Sequence, residues 1–109
     1  MISWADFEKV DIRVGTILSV SDFPEARNPS YQLVIDFGEL GTKKTSAQIT
    51  QLYTHSDLLG KQVIAVVNFP PKQIAKFMSE CLVLGVMGDN KLVTLLTPTH
   101  DTRNGCRIG

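Results

Sequence analysis

The side chains of this chain best placed to do chemistry are Ser46, Gln48, Asn68, Ser79 and Glu80, each beside or within a strand-like apolar segment, with Lys43, Lys44, Lys72 and Lys76 near them in sequence. A core does not require amides, hydroxyls and a carboxylate at such positions, and a buried amide needs hydrogen-bond partners. Asn68, which ends an apolar run before Phe69-Pro70, either ties down the proline turn or pairs with a ligand's backbone. Ser79 reads in the same two ways, as a cap for the strand entry or as a polar handle in a groove. A groove floored by apolar strands and edged by these five groups would accept an extended peptide, main chain against the rim and side chains below. Phe69, Ile74, Phe77 and Met78 either supply the adaptable apolar part of that groove or plug the end of a barrel. Lysines interleaved with Phe69 and Phe77 suit phosphate contact and base stacking, unless they are solvated charges above core phenylalanines.

Enzyme chemistry has little to stand on. The chain holds no phosphate-binding glycine loop, no nucleophile elbow and no paired-histidine motif, and His55 and His100 read as solvated loop residues. Glu80 adjoins an apolar strand, but with no nucleophile or second carboxylate in the pattern it reads as ligand-orienting or structural. Cys81 and Cys106 match no metal or redox spacing and are expected to be free thiols. No catalytic residue, metal or cofactor is expected.

The elements that must position these groups are mostly strands. Val10 to Val20 alternates, with Gly15 marking a bulge or bend that would let one long strand serve both halves of a small barrel. Tyr31, Leu33, Ile35 and Phe37 form the inner face of a second strand, and Thr45, Ala47 and Ile49 that of a third, with Lys44, Ser46 and Gln48 outside. Ser56 to Gly60 offers one helical turn with Ser56 as cap and Gly60 as stop. Gln62 to Phe69 and Cys81 to Met87 are nearly unbroken apolar runs, expected to be strands covered on both faces. Pro70 to Phe77 is read as a short turn of helix, Gly88-Asp89-Asn90 as a hairpin turn to Leu92–Leu96, and Ile108 as a last short pairing. Ser3 caps a short helix on which Trp4 and Phe7 share a face too large for the helix to cover, so they are expected on the barrel end or against a second subunit. The pattern predicts an all-β, five-stranded Greek-key barrel with a short N-terminal helix and a C-terminal extension.

With 109 residues and 43% hydrophobic content the chain suits one domain, residues 1–109, and no apolar run approaches a membrane span. The start has no basic segment followed by an apolar stretch, so the cytoplasm is the expected compartment. Net charge is zero but unevenly spread: residues 1–39 hold three basic and seven acidic side chains, residues 40–79 five and one, residues 80–109 three of each. The basic middle third permits an anionic partner at one local surface, with moderate, salt-sensitive affinity for nucleic acid.

Asp11-Ile12-Arg13-Val14-Gly15, Gly60-Lys61 before a valine-rich strand, Asn68 with a nearby proline, and Ser79 opening a late phrase together resemble the tRNA-binding domain family. These are oligonucleotide/oligosaccharide-binding (OB) folds appended to methionyl- and phenylalanyl-tRNA synthetases and also found as free dimers. Within it, Ala26-Arg27-Asn28-Pro29-Ser30-Tyr31, Ser46-Ala47-Gln48-Ile49-Thr50 and Ser79-Glu80-Cys81-Leu82-Val83-Leu84-Gly85 are most similar to the export-related chaperones of the family. The resemblance implies a cytoplasmic homodimer that binds unfolded or presecretory polypeptides, with tRNA as the alternative partner. Where tRNA-binding members tend to have Ser-Gln-Gly-Met this chain has Ser79-Glu80-Cys81-Leu82, and Asn28 stands where lysine is expected; both changes disfavour phosphate. The peptide reading takes Arg27, Lys44, Gln48, Asn68 and Ser79 to orient the client, Phe69 and Met78 to contact its side chains, and Glu80 to favour basic peptides. The RNA reading takes Lys43, Lys44, Lys72 and Lys76 as phosphate contacts, and Trp4 and Phe7 are assigned to the dimer interface.

Overall fold

The computed structural model describes residues 1–109. In chain order it contains α1 (Trp4–Glu8), β1 (Ile12–Asp22), β2 (Tyr31–Asp36), β3 (Thr42–Ala47), α2 (His55–Leu58), β4 (Gln62–Val66), β5 (Lys72–Ile74), β6 (Phe77–Ser79), β7 (Leu82–Val83), β8 (Gly85–Met87) and β9 (Val93–Leu95). Five strands pair antiparallel in the order β3-β2-β1-β4-β7, and the edge strands curl round to face each other, giving the nearly closed, mostly β barrel expected. Two further hairpins, β5–β6 and β8–β9, stand out from it.

The long first strand serves both halves as the pattern requires: residues 12–16 pair with β4 and residues 16–22 with β2. Its irregularity lies at Leu18, between the Ile17–Ile35 and Ser19–Val34 pairs, and not at Gly15. Gly15 has another reason: a Cβ there would come within 2.6 Å of Ile35 and 2.8 Å of the Phe37 ring, so the missing side chain lets β1 lie against the core. Ile17, Leu33, Ile35, Phe37, Leu58, Val63 and Ala65 make the centre of that core, and each full burial of a large aliphatic side chain removes apolar surface worth about 1.5–3 kcal/mol. Of the inner faces assigned to the second and third strands, Tyr31, Leu33, Ile35, Phe37, Thr45 and Ile49 are buried and Ala47 is half-buried.

Four expectations need correction. The helical turn before β4 starts two residues earlier than expected, because Thr54 and Asp57 form a reciprocal capping box that makes Thr54, not Ser56, the cap; Gly60 (φ 82°) does end it. His55 is therefore the first helical residue and not a free loop histidine: its Nε2 lies 2.7 Å from Asp22 Oδ1 and its ring meets Tyr31 edge-on. Residues 70–77 are not helical; Lys72–Ile74 and Phe77–Ser79 pair as a hairpin across Ala75-Lys76. Ala75 takes a left-handed φ of 53° there, so the turn lacks the glycine or asparagine that would have signalled it, while Pro70 and Pro71 have no N–H to give a helix. The first apolar run is buried on both faces, from Val63 to Val66, but the second is not. It breaks at Leu84, where β8 leaves the barrel to pair with β9, and Leu82, Val86 and Met87 are exposed.

The C-terminal end of the chain is tied to β1. Gly105 and Ile108 donate to the Val14 and Ile12 carbonyls at 2.8 Å, and Val14 donates to Cys106, so the expected last pairing is present. No helix is long and apolar enough to cross a membrane.

Candidate functional site

The barrel closes between β3 and the segment Ser79–Cys81, and side chains do much of the closing. Glu80 N–H donates to the Lys44 carbonyl (2.8 Å), and the Glu80 carboxylate accepts the Lys44 N–H (2.9 Å), so the acid stands where a neighbouring strand would offer a carbonyl. Ser79 Oγ accepts from Ser46 N–H (3.3 Å) and donates to Thr45 Oγ1 (2.9 Å), whose own proton goes to the Cys81 carbonyl (2.7 Å). Thr45 is buried, and each hydroxyl of this relay donates once and accepts once. Asn68 is spent in a similar way, on neither of the partners foreseen. Its Oδ1 accepts from Asp11 N–H (2.9 Å) and its amide donates to the Lys9 carbonyl (2.8 Å), clasping the chain between α1 and β1 to the end of β4.

Beside the seam lies an open cleft of about 840 Å³. Its floor is Ser46–Ile49 at the end of β3 with Cys81–Val83; one wall is Phe69, Pro70, Lys72, Ile74 and Ser79, the other Gly85, Met87, Lys91 and Val93. Nine of these sixteen residues are hydrophobic, which makes the cleft a surface for apolar side chains. Phe69 and Met87 are 54% and 79% exposed, far above what a finished core would leave. The polar side chains of the lining are Ser46, Gln48, Lys72, Ser79 and Lys91. Burial pushes the Cys81 thiol up to about 11, so this lining group is a neutral thiol.

Of the residues assigned to peptide binding, the cleft brings together Gln48, Phe69 and Ser79, and it adds Lys72 from the RNA set. Glu80 and Asn68 do not line it. Met78 lies between Phe77 and Ser79 on a strand, so its side chain leaves the opposite face of β6. Arg27 is exposed in the β1–β2 loop. Lys44 Nζ sits 5.3 Å from the centre of the Phe77 ring, and Phe77 in turn packs on Phe23 at 5.4 Å. The four lysines of the RNA reading do not form one patch: Lys43 and Lys44, adjacent on β3, leave opposite faces of the strand, and Lys76 is at the hairpin tip. The sequence reading missed Met87, Lys91 and Val93, which reach the cleft only because β8 and β9 fold back over it.

On another side of the molecule α1 buries none of its residues. Ser3 caps it as expected, with Asp6 completing a capping box, while Trp4 is 86% and Phe7 36% exposed. The helix is nonetheless anchored at its C-terminal end, where Arg107 donates to the Glu8 carbonyl (2.8 Å) beside the Asn68 clasp. Asp11 underlies this junction, and the hydrogen bond from Arg13 holds its carboxyl below the usual aspartate value. Cys106, half-buried near it, has its thiol pKa lowered by Arg103.

Comparison with known proteins gives a consistent result. The family described as "Putative tRNA binding domain" matches residues 12–107. The crystal structure of chaperone CsaA from Bacillus anthracis superposes with a TM-score of 0.96 at 50% identity, covering 100% of this chain and 99% of that one. The CsaA chaperone protein from Picrophilus torridus gives 0.94 at 54% identity, covering all of both chains. The methionine–tRNA ligase of Methanocaldococcus jannaschii is 32% identical over 101 residues, which is 93% of this chain but 15% of that ligase.

Proposed function

The chain belongs to the tRNA-binding domain family, and from that premise we propose that it is a non-catalytic molecular chaperone whose apolar cleft holds exposed segments of unfolded or presecretory polypeptides. The observation that carries this reading is the cleft: a lining that is hydrophobic at nine of sixteen positions, with exposed Phe69 and Met87 among them and a small number of polar groups between. Its relatives at 50% and 54% identity over full-length coverage are described as chaperones, which supports the same reading. Gln48 would meet the client's main chain and Phe69 its side chains, with Ser79, Asn68 and Glu80 acting through the fold they hold. We further propose that residues 1–109 act as one module, in the cytoplasm, as a homodimer joined through Trp4 and Phe7; an aromatic face left in solvent on a capped and tethered helix supports the last of these. Two weak clefts in one dimer would raise avidity for a long client.

A second reading, tRNA binding, is favoured by the family itself and by its ligase members, of which this chain spans about one seventh to one sixth. It would use Lys43, Lys44, Lys72 and Lys76, and it expects a steep loss of affinity with salt.

Titration with a fluorescent presecretory peptide, with tRNA as competitor, separates the two. Saturable peptide binding that survives 0.2 M salt and is weakened by Phe69→Ala is expected. Retention of tRNA with no measurable peptide binding would overturn the chaperone reading. Sedimentation at micromolar concentration is expected to give a dimer, and a monomer for the Trp4→Ala/Phe7→Ala double variant.

A further inference from the structure

All the charge on the lining of the cleft is positive. Each of its walls contributes one lysine, Lys72 from β5 and Lys91 from the turn before β9, and no aspartate or glutamate lines it. Both lysines are exposed, and none of the four ion pairs in the structure involves either. Lys91 stands in the turn before β9, where Asn90 and Lys91 have successive left-handed φ values of 57° and 62°, common for asparagine and uncommon for lysine. Glu80 follows Ser79 and precedes Cys81, both lining residues, yet its carboxylate is turned to the Lys44 N–H on the seam. The one carboxylate next to the groove in sequence is therefore turned onto the seam and is not part of the lining, where the charged groups are the two lysines.

We propose that the cleft selects apolar polypeptide segments flanked by acidic side chains, whose carboxylates meet Lys72 and Lys91 while the apolar side chains enter between the two hairpins. This rests on the peptide-binding reading above and reverses the preference for basic segments that Glu80 suggested. A lysine-flanked segment would bring like charge to both walls and find no counter-charge on the lining. Because exposed ion pairs are weak and screened over about 8 Å at physiological salt, the discrimination is modest and salt-dependent, with apolar burial supplying most of the affinity.

The test uses three fluorescent peptides blocked at both ends, so that no terminal carboxylate contributes, with one apolar core flanked by Glu, Ser or Lys. At 50 mM salt the Glu-flanked peptide is expected to bind about three- to tenfold more tightly than the Lys-flanked one, with Ser between, and the spread to collapse toward equality by 0.5 M salt. Lys72→Glu with Lys91→Glu should invert the order, while Lys72→Arg with Lys91→Arg should preserve it, showing that charge and not a folding defect is responsible. Equal or tighter binding of the Lys-flanked peptide, or an order unmoved by charge reversal, overturns the acidic preference and leaves peptide binding standing. Binding of none of the three overturns both, and binding of a short single-stranded RNA in their place assigns the two lysines to phosphate.

Discussion

Between Thr45 and Cys81 the hydroxyls, amides and carbonyls across the barrel seam are partnered inside the protein, whereas at the mouth of the cleft beside it Lys72 and Lys91 enter no ion pair and Phe69 and Met87 stay in solvent. Both regions draw on the same few residues, Ser46 and Ser79 among them, so proximity does not explain the contrast. At the seam two strand edges would otherwise leave buried backbone groups without partners, and side chains complete them. At the cleft the β8–β9 hairpin turns away from the barrel, and its apolar wall has nothing of its own chain to cover. Polar residues beside a groove can thus belong wholly to the fold, while the apolar residues near them stay in solvent.

Substitutions should separate the two regions, stability on one side and affinity on the other. The largest effect is expected from Thr45→Val, which leaves the Ser79 hydroxyl proton and the Cys81 carbonyl only the long 3.4 Å bond between them and should cost about 1–3 kcal/mol in urea unfolding. Retention of full stability would mean that the relay does not close the barrel. Next, Phe69→Ala should weaken peptide binding by about tenfold, near 1.4 kcal/mol, while moving the unfolding midpoint little, because the side chain is half exposed. Glu80→Ala should cost about 1 kcal/mol of stability, and Glu80→Gln, which keeps an acceptor for Lys44 N–H, about half of that or less. A large loss in Glu80→Gln would assign the effect to charge rather than to the hydrogen bond.

Smaller effects come from titration. Cys106 should be alkylated by iodoacetamide well before Cys81, since Arg103 lowers the thiol pKa of the first and burial raises that of the second to about 11. Mass spectrometry of partly labelled protein reads the order directly. Asp11 has a folded pKa below its ordinary value, so its contribution to stability is complete above that ordinary value, near pH 4, and is lost as the pH falls through the lowered one. Denaturation followed from pH 6 to pH 2 should therefore show a decline in that acid range that Asp11→Asn removes.

Much of the barrel was legible because its signals are local and periodic. Alternation at Tyr31–Phe37 placed the core face of β2, the unbroken Val63–Val66 run announced a strand buried on both faces, and Ser3 announced its helix. The errors arose where long-range pairing overrode local preference. Ala75-Lys76 carries no turn signal, yet the Ile74–Phe77 pair and the packing of Phe77 on Phe23 make a hairpin of the segment. Gly15 was rightly marked as special for the wrong reason, since a close approach of β1 to Ile35 and Phe37 cannot be told from a bulge in one dimension.

By itself the sequence determined most of the barrel's strands, the capped N-terminal helix and the family, because hydrophobic period, capping residues and short motifs are properties of neighbouring residues. Only the tertiary structure decided which polar groups were available to a ligand. Glu80 and Asn68 found partners 36 and 57 residues away in the chain, and Lys91 and Met87 reached the cleft through a hairpin folding back. A side chain's chemistry is written in its type, but whether its hydrogen bonds and charge are already spent depends on which distant backbone the fold brings to it.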